Sequence, residues 1–141
     1  MVQPISPPYR VLLVDDEVDF TAAMEQRLTR RGFGIAVAAS GEQALALARA
    51  TPPDAVLLDI RMPGIDGLTT MQLLQREHPT LAVILLTGHE SVRSGVDGMR
   101  LGAFDYLTKP ADFEELVDKL TAACAQKRML DAAPGADASG R

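Results

Sequence analysis

Val11-Leu12-Leu13-Val14-Asp15-Asp16-Glu17 is a short aliphatic run that stops abruptly at three acids. The same design recurs along the chain. Ala55-Val56-Leu57-Leu58 stops at Asp59, and Leu81 to Leu86 stops at Thr87-Gly88. Ala103 to Leu107, a weaker run, stops at Thr108-Lys109-Pro110. Gly34 to Ala38 is also weak and ends in uncharged Ala39-Ser40. Apolar runs of this length suit strands buried on both faces, as in a parallel sheet.

Amphipathic stretches fill the gaps. Phe20, Met24 and Leu28 recur every four residues, and Leu68, Met71 and Leu74 every three. Phe113, Leu116, Val117, Leu120 and Cys124 place one apolar stripe along a helix. Gly41 to Ala50 is rich in Ala and Leu and ends before the breaker Thr51-Pro52-Pro53. Gly32 stands just past the first helix, where a left-handed cap is common. Strand and helix thus alternate five times. That order predicts an α/β fold, a three-layer sandwich with helices on both faces of a five-stranded parallel sheet. The flavodoxin-like strand order 2-1-3-4-5 is the natural choice.

The 141 residues fit one domain, and 47% apolar content suits a packed core. A net charge of -5 argues against a nucleic-acid-binding surface. Cys124 is the single cysteine, so no internal disulfide forms and a reducing, cytoplasmic compartment is expected. It reads as a small buried hydrophobe on its helix. Met1 to Tyr9 has neither the basic start nor the apolar stretch of a secretory signal. No apolar run approaches the roughly 20 residues of a membrane span. The expected organisation is an N-terminal extension over residues 1–9, a domain over 10–128 and a flexible tail over 129–141. No effector domain is expected within these residues, which leaves either a stand-alone regulator or a fragment of a longer one.

In open parallel sheets, ligands bind beyond the carboxyl ends of the strands, where the strand order reverses. The order 2-1-3-4-5 brings Asp15, Asp16, Asp59, Thr87 and Lys109 to that edge. Clustered carboxylates repel unless a cation compensates. A hard divalent ion such as Mg²⁺ accepts one or two carboxylates, keeps waters and takes phosphate oxygens. Lys109 adds a compact positive charge and Thr87 a hydroxyl. Such a set suits phosphoryl transfer, which needs mainly positioning and charge neutralisation. A carboxylate is a competent nucleophile for it. The residues alone favour Asp59 and leave Asp15 and Asp16 as alternatives. The plainer reading is that these acids cap helices or solvate loop ends.

The residues resemble the receiver domains of bacterial response regulators. The resemblance rests on Asp15-Asp16-Glu17, on Asp59-Ile60-Arg61-Met62-Pro63-Gly64-Ile65-Asp66-Gly67, on Thr87-Gly88-His89 and on Gly102 to Pro110. It covers residues 10–128, nearly the whole chain. It implies that Asp59 accepts a phosphoryl group from a sensor histidine kinase, a phosphotransfer protein or a small phosphodonor. Asp16, Asp59 and the Arg61 backbone carbonyl would bind Mg²⁺ or Mn²⁺, with Asp15 helping partly through water. Lys109 would pair with the phosphoryl group, and Lys109-Pro110 would be cis. Thr87 would move onto the phosphoryl oxygen and Tyr106 would swing inward behind it. A downstream protein, or a second copy, would dock on the fourth helix, fifth strand and fifth helix. Neither nucleic acid nor membrane is an expected partner. The chain is not expected to be an enzyme beyond its own phosphorylation and dephosphorylation.

The resemblance also implies that Arg61 and His89, two places beyond Asp59 and Thr87, would tune phosphate lifetime. His78, before Pro79, reads as a surface residue. Gly95 and Gly98 interrupt the fourth helix, at roughly 1 kcal/mol each relative to Ala, which predicts a short or frayed helix. Three other classes fit less well. An aspartyl-phosphate phosphatase would want a second Asp two places after Asp15, where Glu17 stands. A dinucleotide binder would want a glycine-rich loop after the first strand. A degenerate receiver used only for docking would not keep Asp15, Asp16, Asp59, Thr87 and Lys109 together.

Overall fold

The structure, a computed structural model, describes residues 8–62, 64–88 and 92–133. The strands are β1 (Arg10–Val14), β2 (Gly34–Ala38), β3 (Ala55–Asp59), β4 (Ala82–Thr87) and β5 (Asp105–Thr108). The helices are α1 (Val18–Arg30), α2 (Gly41–Ala50), α3 (Gly67–Glu77), α4 (Val92–Arg100) and α5 (Phe113–Ala132). All strand pairs are parallel, in the order β2-β1-β3-β4-β5. The expected sheet order and helix count both hold.

Alternate residues of each strand feed two separate cores. Val11, Leu13, Leu57, Ile84 and Leu86 point to the side of α1 and α5, where Leu28, Leu116, Leu120 and Cys124 pack. Leu12, Val14, Val56, Leu58, Val83 and Leu85 point to the other side, against Ala44, Ala48, Met71 and Leu74. β3 and β4 are buried along their full length, which explains their unbroken aliphatic runs. Edge strand β2 is only partly covered, which explains its weaker one.

Capping fixes where the helices begin and end. Ser40, Asp66 and Asp112 accept hydrogen bonds from the backbone N–H groups of Gln43, Thr69 and Glu115. Gly32 takes φ +95, and the Phe33 and Gly32 amides donate back to Leu28 and Thr29, closing α1. Among the described residues, no helix is long and apolar enough to cross a membrane.

Two boundaries differ from expectation. β5 starts at Asp105, later than its apolar run, because a turn at Gly102 holds the chain first. The Gln75 side chain donates to the Gly102 carbonyl and fixes that turn. α5 runs to Ala132, past Arg128, where the tail was expected to begin. Its last turns are pinned: Asp131 pairs with Lys127 and accepts from the Thr80 hydroxyl. Pro8 and Tyr9, expected in the extension, are also held. Arg128 donates to the Pro8 carbonyl and stacks on the Tyr9 ring. Residues 1–7 and 134–141 lie outside the described residues.

Candidate functional site

Asp59 is the last residue of β3 and Thr87 the last of β4, so parallel register alone sets them at one rim. Asp15 follows β1 directly and Lys109 follows β5. The Lys109 amide donates to the Thr87 carbonyl at 2.6 Å, tying the fifth strand's end to the fourth. Lys109-Pro110 is cis, as expected. Behind the rim, the Gly67 amide donates to the Ile60 carbonyl, drawing the start of α3 under the loop after Asp59.

Lys109 is the hub. Its Nζ lies 2.7 Å from Asp15 Oδ2, 2.8 Å from Glu17 Oε1 and 3.8 Å from Asp59 Oδ2. The Phe20 ring lies 4.4 Å from the same nitrogen. Asp15 is turned inward; its Oδ1 accepts from the Glu17 amide while Oδ2 takes the ammonium. The Arg61 amide donates to Asp59 Oδ1 at 3.3 Å.

The electrostatics follow from this crowding. Burial and the nearby Asp15 charge push the Asp59 carboxyl up to about 6, against the pull of Lys109 and the Arg61 amide. Burial works against the charge of Lys109, but its bonds to Asp15 and Glu17 outweigh that and raise its pKa. The bond to Lys109 lowers Glu17. Oxygens of Asp15, Glu17 and Asp59 lie within 4.8 Å of one another, an all-oxygen donor set that suits a hard divalent cation.

Most of the expected residues therefore meet, with two qualifications. Asp16 is exposed and stands outside that close trio, although its charge still reaches Asp59. Glu17 takes the third place, because the turn that directs Asp15 inward also brings Glu17 over Lys109. The Thr87 hydroxyl is fully buried and has no hydrogen-bond partner among the described residues. Tyr106 is half-buried on β5 against the core shared with α2 and α3. The Arg61 side chain is exposed, and His89 lies outside the described residues. Cys124 is fully buried, and burial pushes its thiol up to about 12, which makes it inert. Phe20 and Glu17 are the contributors that the sequence reading did not assign.

A sequence model of the response regulator receiver domain matches residues 11–121. The chain belongs to the response regulator receiver domain family. It is 36% identical over 122 residues to the transcriptional regulatory protein ZraR from Escherichia coli, covering 86% of this chain and 28% of ZraR. It is 39% identical over 105 residues to the DNA-binding transcriptional regulator NtrC from Klebsiella pneumoniae, covering 74% of this chain and 22% of NtrC. The receiver thus spans about a quarter of the length of these relatives. A response regulator receiver domain protein from Clostridium thermocellum shares the fold with a TM-score of 0.82 at 28% identity, covering 86% of this chain and 98% of that one. The receiver serves two-component signalling. Its family generally binds Mg²⁺ at an acidic pocket and interacts with histidine kinases and downstream effectors.

Proposed function

We propose that Asp59 is the phosphoacceptor of this receiver and that its phosphorylation switches a docking surface on α4, β5 and α5. The observation that carries this is the convergence of Asp59, Asp15 and Lys109 at the rim of the sheet where β4 ends in Thr87, whose buried hydroxyl has no partner among the described residues. A carboxyl with a pKa of about 6 is mostly ionised at neutral pH and can attack phosphorus. An Asp59 oxygen forms the new bond to phosphorus. The bond from phosphorus to the leaving imidazole nitrogen of a phosphohistidine, or to the acetate oxygen of acetyl phosphate, breaks with its electron pair. The product is an acyl phosphate on Asp59.

Asp15, Asp16, Asp59 and the Arg61 carbonyl would hold Mg²⁺ or Mn²⁺. That ion supplies charge neutralisation on the transferred group. Lys109 supplies the remaining positive charge from the β5 side. Thr87 then bonds a phosphoryl oxygen, which satisfies its orphaned hydroxyl, and Tyr106 follows inward. The phosphoryl group thereby biases a two-state surface. Arg61 and His89 set water access and so the lifetime of the acyl phosphate. The domain works in the cytoplasm, receives its phosphoryl group from a histidine kinase or phosphotransfer protein, and is an enzyme only toward itself.

The test is incubation with acetyl phosphate and Mg²⁺, read by intact mass. One added phosphoryl group is expected in the wild type and none in Asp59→Asn. Equal labelling of the two proteins refutes the assignment.

A further inference from the structure

Lys109 is more heavily engaged than a phosphoryl-binding lysine needs to be. An ammonium has three N–H bonds. One goes to Asp15 at 2.7 Å and one to Glu17 at 2.8 Å, while Asp59, at 3.8 Å, is beyond hydrogen-bond reach. The two bonds made are unlike each other. The Asp15 side chain is 2% exposed, so that bond is sheltered. The Glu17 side chain is 64% exposed, and a pair of that kind is screened and readily broken. Glu17 is also the N-cap of α1 but makes no side-chain capping bond, so holding up the helix does not require its carboxylate.

From this geometry we infer that Glu17 is a latch on Lys109. In the resting state its carboxylate takes the place that a phosphoryl oxygen on Asp59 would claim. This rests on the reading of Asp59 as phosphoacceptor. Oxygens of Glu17 and Asp59 fall within one 4.8 Å cluster, so negative charge added at Asp59 meets Glu17 at close range. Phosphorylation therefore brings a second negative group up to the ammonium that Glu17 holds, and Glu17 opposes it twice, by repulsion and by competition for Lys109. Glu17 acts through Lys109 and is a positioning residue. The neighbouring Phe20 ring and the Asp15 carboxylate keep the lysine in place when Glu17 lets go.

Glu17→Gln keeps the size of the side chain and removes its charge. With acetyl phosphate and Mg²⁺ it should be phosphorylated three- to tenfold faster than the wild type and bind beryllofluoride several-fold more tightly. A purely structural role would not move the ¹⁵N resonance of the Lys109 ammonium. That signal should differ between the two free proteins and converge once both carry beryllofluoride. Equal or slower phosphorylation of Glu17→Gln overturns the latch, and slower phosphorylation with a raised Mg²⁺ requirement makes Glu17 a metal ligand instead. Identical Lys109 signals in the free proteins also overturn it. Asp59→Asn in both backgrounds separates the two claims. If it is labelled as fully as its parent, the phosphoacceptor reading fails and the latch falls with it; if labelling is lost in Asp59→Asn but Glu17→Gln reacts no faster than the wild type, the latch alone fails.

Discussion

Gly67 sits so close behind Asp59 that a Cβ on it would lie 2.5 Å from the Asp59 carbonyl oxygen and 2.5 Å from Ile60 Cα. Both obstacles are backbone, so neither can rotate away. The start of α3 is thus pressed against the end of β3, and the loop carrying Asp59 and the Arg61 amide is held between them. Gly67→Ala should destabilise the domain by ~1–3 kcal/mol through overpacking. It should also slow labelling of Asp59 by at least tenfold, because the carboxylate moves with its backbone. Urea unfolding and the acetyl phosphate reaction measure the two effects separately. Unchanged labelling would show that the loop is set by something other than this contact.

Asp59 makes stability depend on pH. Its carboxyl binds a proton more tightly in the folded chain, at about 6, than its ordinary value of 3.8. A group of that kind opposes folding once it is ionised, so stability falls as pH climbs from about 4 to about 6, and the penalty is complete above that. Asp59→Asn should therefore be more stable than the wild type by ~1–3 kcal/mol at pH 7.5 and about equal at pH 4. Millimolar Mg²⁺ should raise the wild-type urea midpoint at pH 7.5 more than that of the variant. A variant less stable than the wild type at pH 7.5 contradicts the argument.

Arg128 anchors the far end of α5. Its guanidinium meets Asp54 Oδ2 at 2.9 Å and the Pro8 carbonyl at 2.8 Å, while Asp54 also accepts the Arg10 amide. Asp54 is buried, so removing its guanidinium strands much of a carboxylate's charge. Arg128→Met should lower stability by ~1–3 kcal/mol, discounted from the fully buried case because Arg128 keeps some exposure. The rate of Asp59 labelling should stay within a factor of about two, since a site this far off feels little of the change.

Gly98 reverses the expectation drawn from helix propensity. On propensity alone, Gly98→Ala gains ~1 kcal/mol. In the structure that Cβ would fall 2.1 Å from Leu85 Cδ1 and 3.3 Å from Leu68 Cδ2. Leu85 is fully buried on β4. Overpacking should win, with a net loss of ~1–2 kcal/mol and faster amide exchange along α4. A net gain in urea midpoint would show that α4 shifts outward freely. In the unmodified chain, α4 should exchange faster than the longer α5.

These contrasts show what the sequence could and could not reveal. β3 and β4 were legible because burial on both faces leaves an unbroken aliphatic run, and Asp59 and Thr87 were legible because they end such runs. β5 was harder to place, since its half-buried residues include the polar Asp105. The end of α5 was missed because Met129 and Leu130 face outward, and what holds the last turn is a pairing of Asp131 with Lys127 and Thr80. The space that Gly98 leaves for Leu85 is a three-dimensional fact with no local signature. Glu17 and Phe20 did carry a signal. They stand three apart at the start of α1, hence on one face, directly after the acids that end β1. Their meeting with Lys109 depends on strand order, which turns a local pattern into a contact across 92 residues.

β3 has Asp54 just before its first residue and Asp59 as its last. At strand rise, that separates the two acids by ~17 Å, about twice the screening length of physiological salt. Asp54 is moreover neutralised on the spot by Arg128. The molecule is thus divided into a clasp at one pole and a reactive mouth at the other, joined by a rod of inert aliphatics. Descendants of this chain can loosen or tighten the clasp to suit a hotter or saltier habitat while the chemistry of the mouth stays on its original setting.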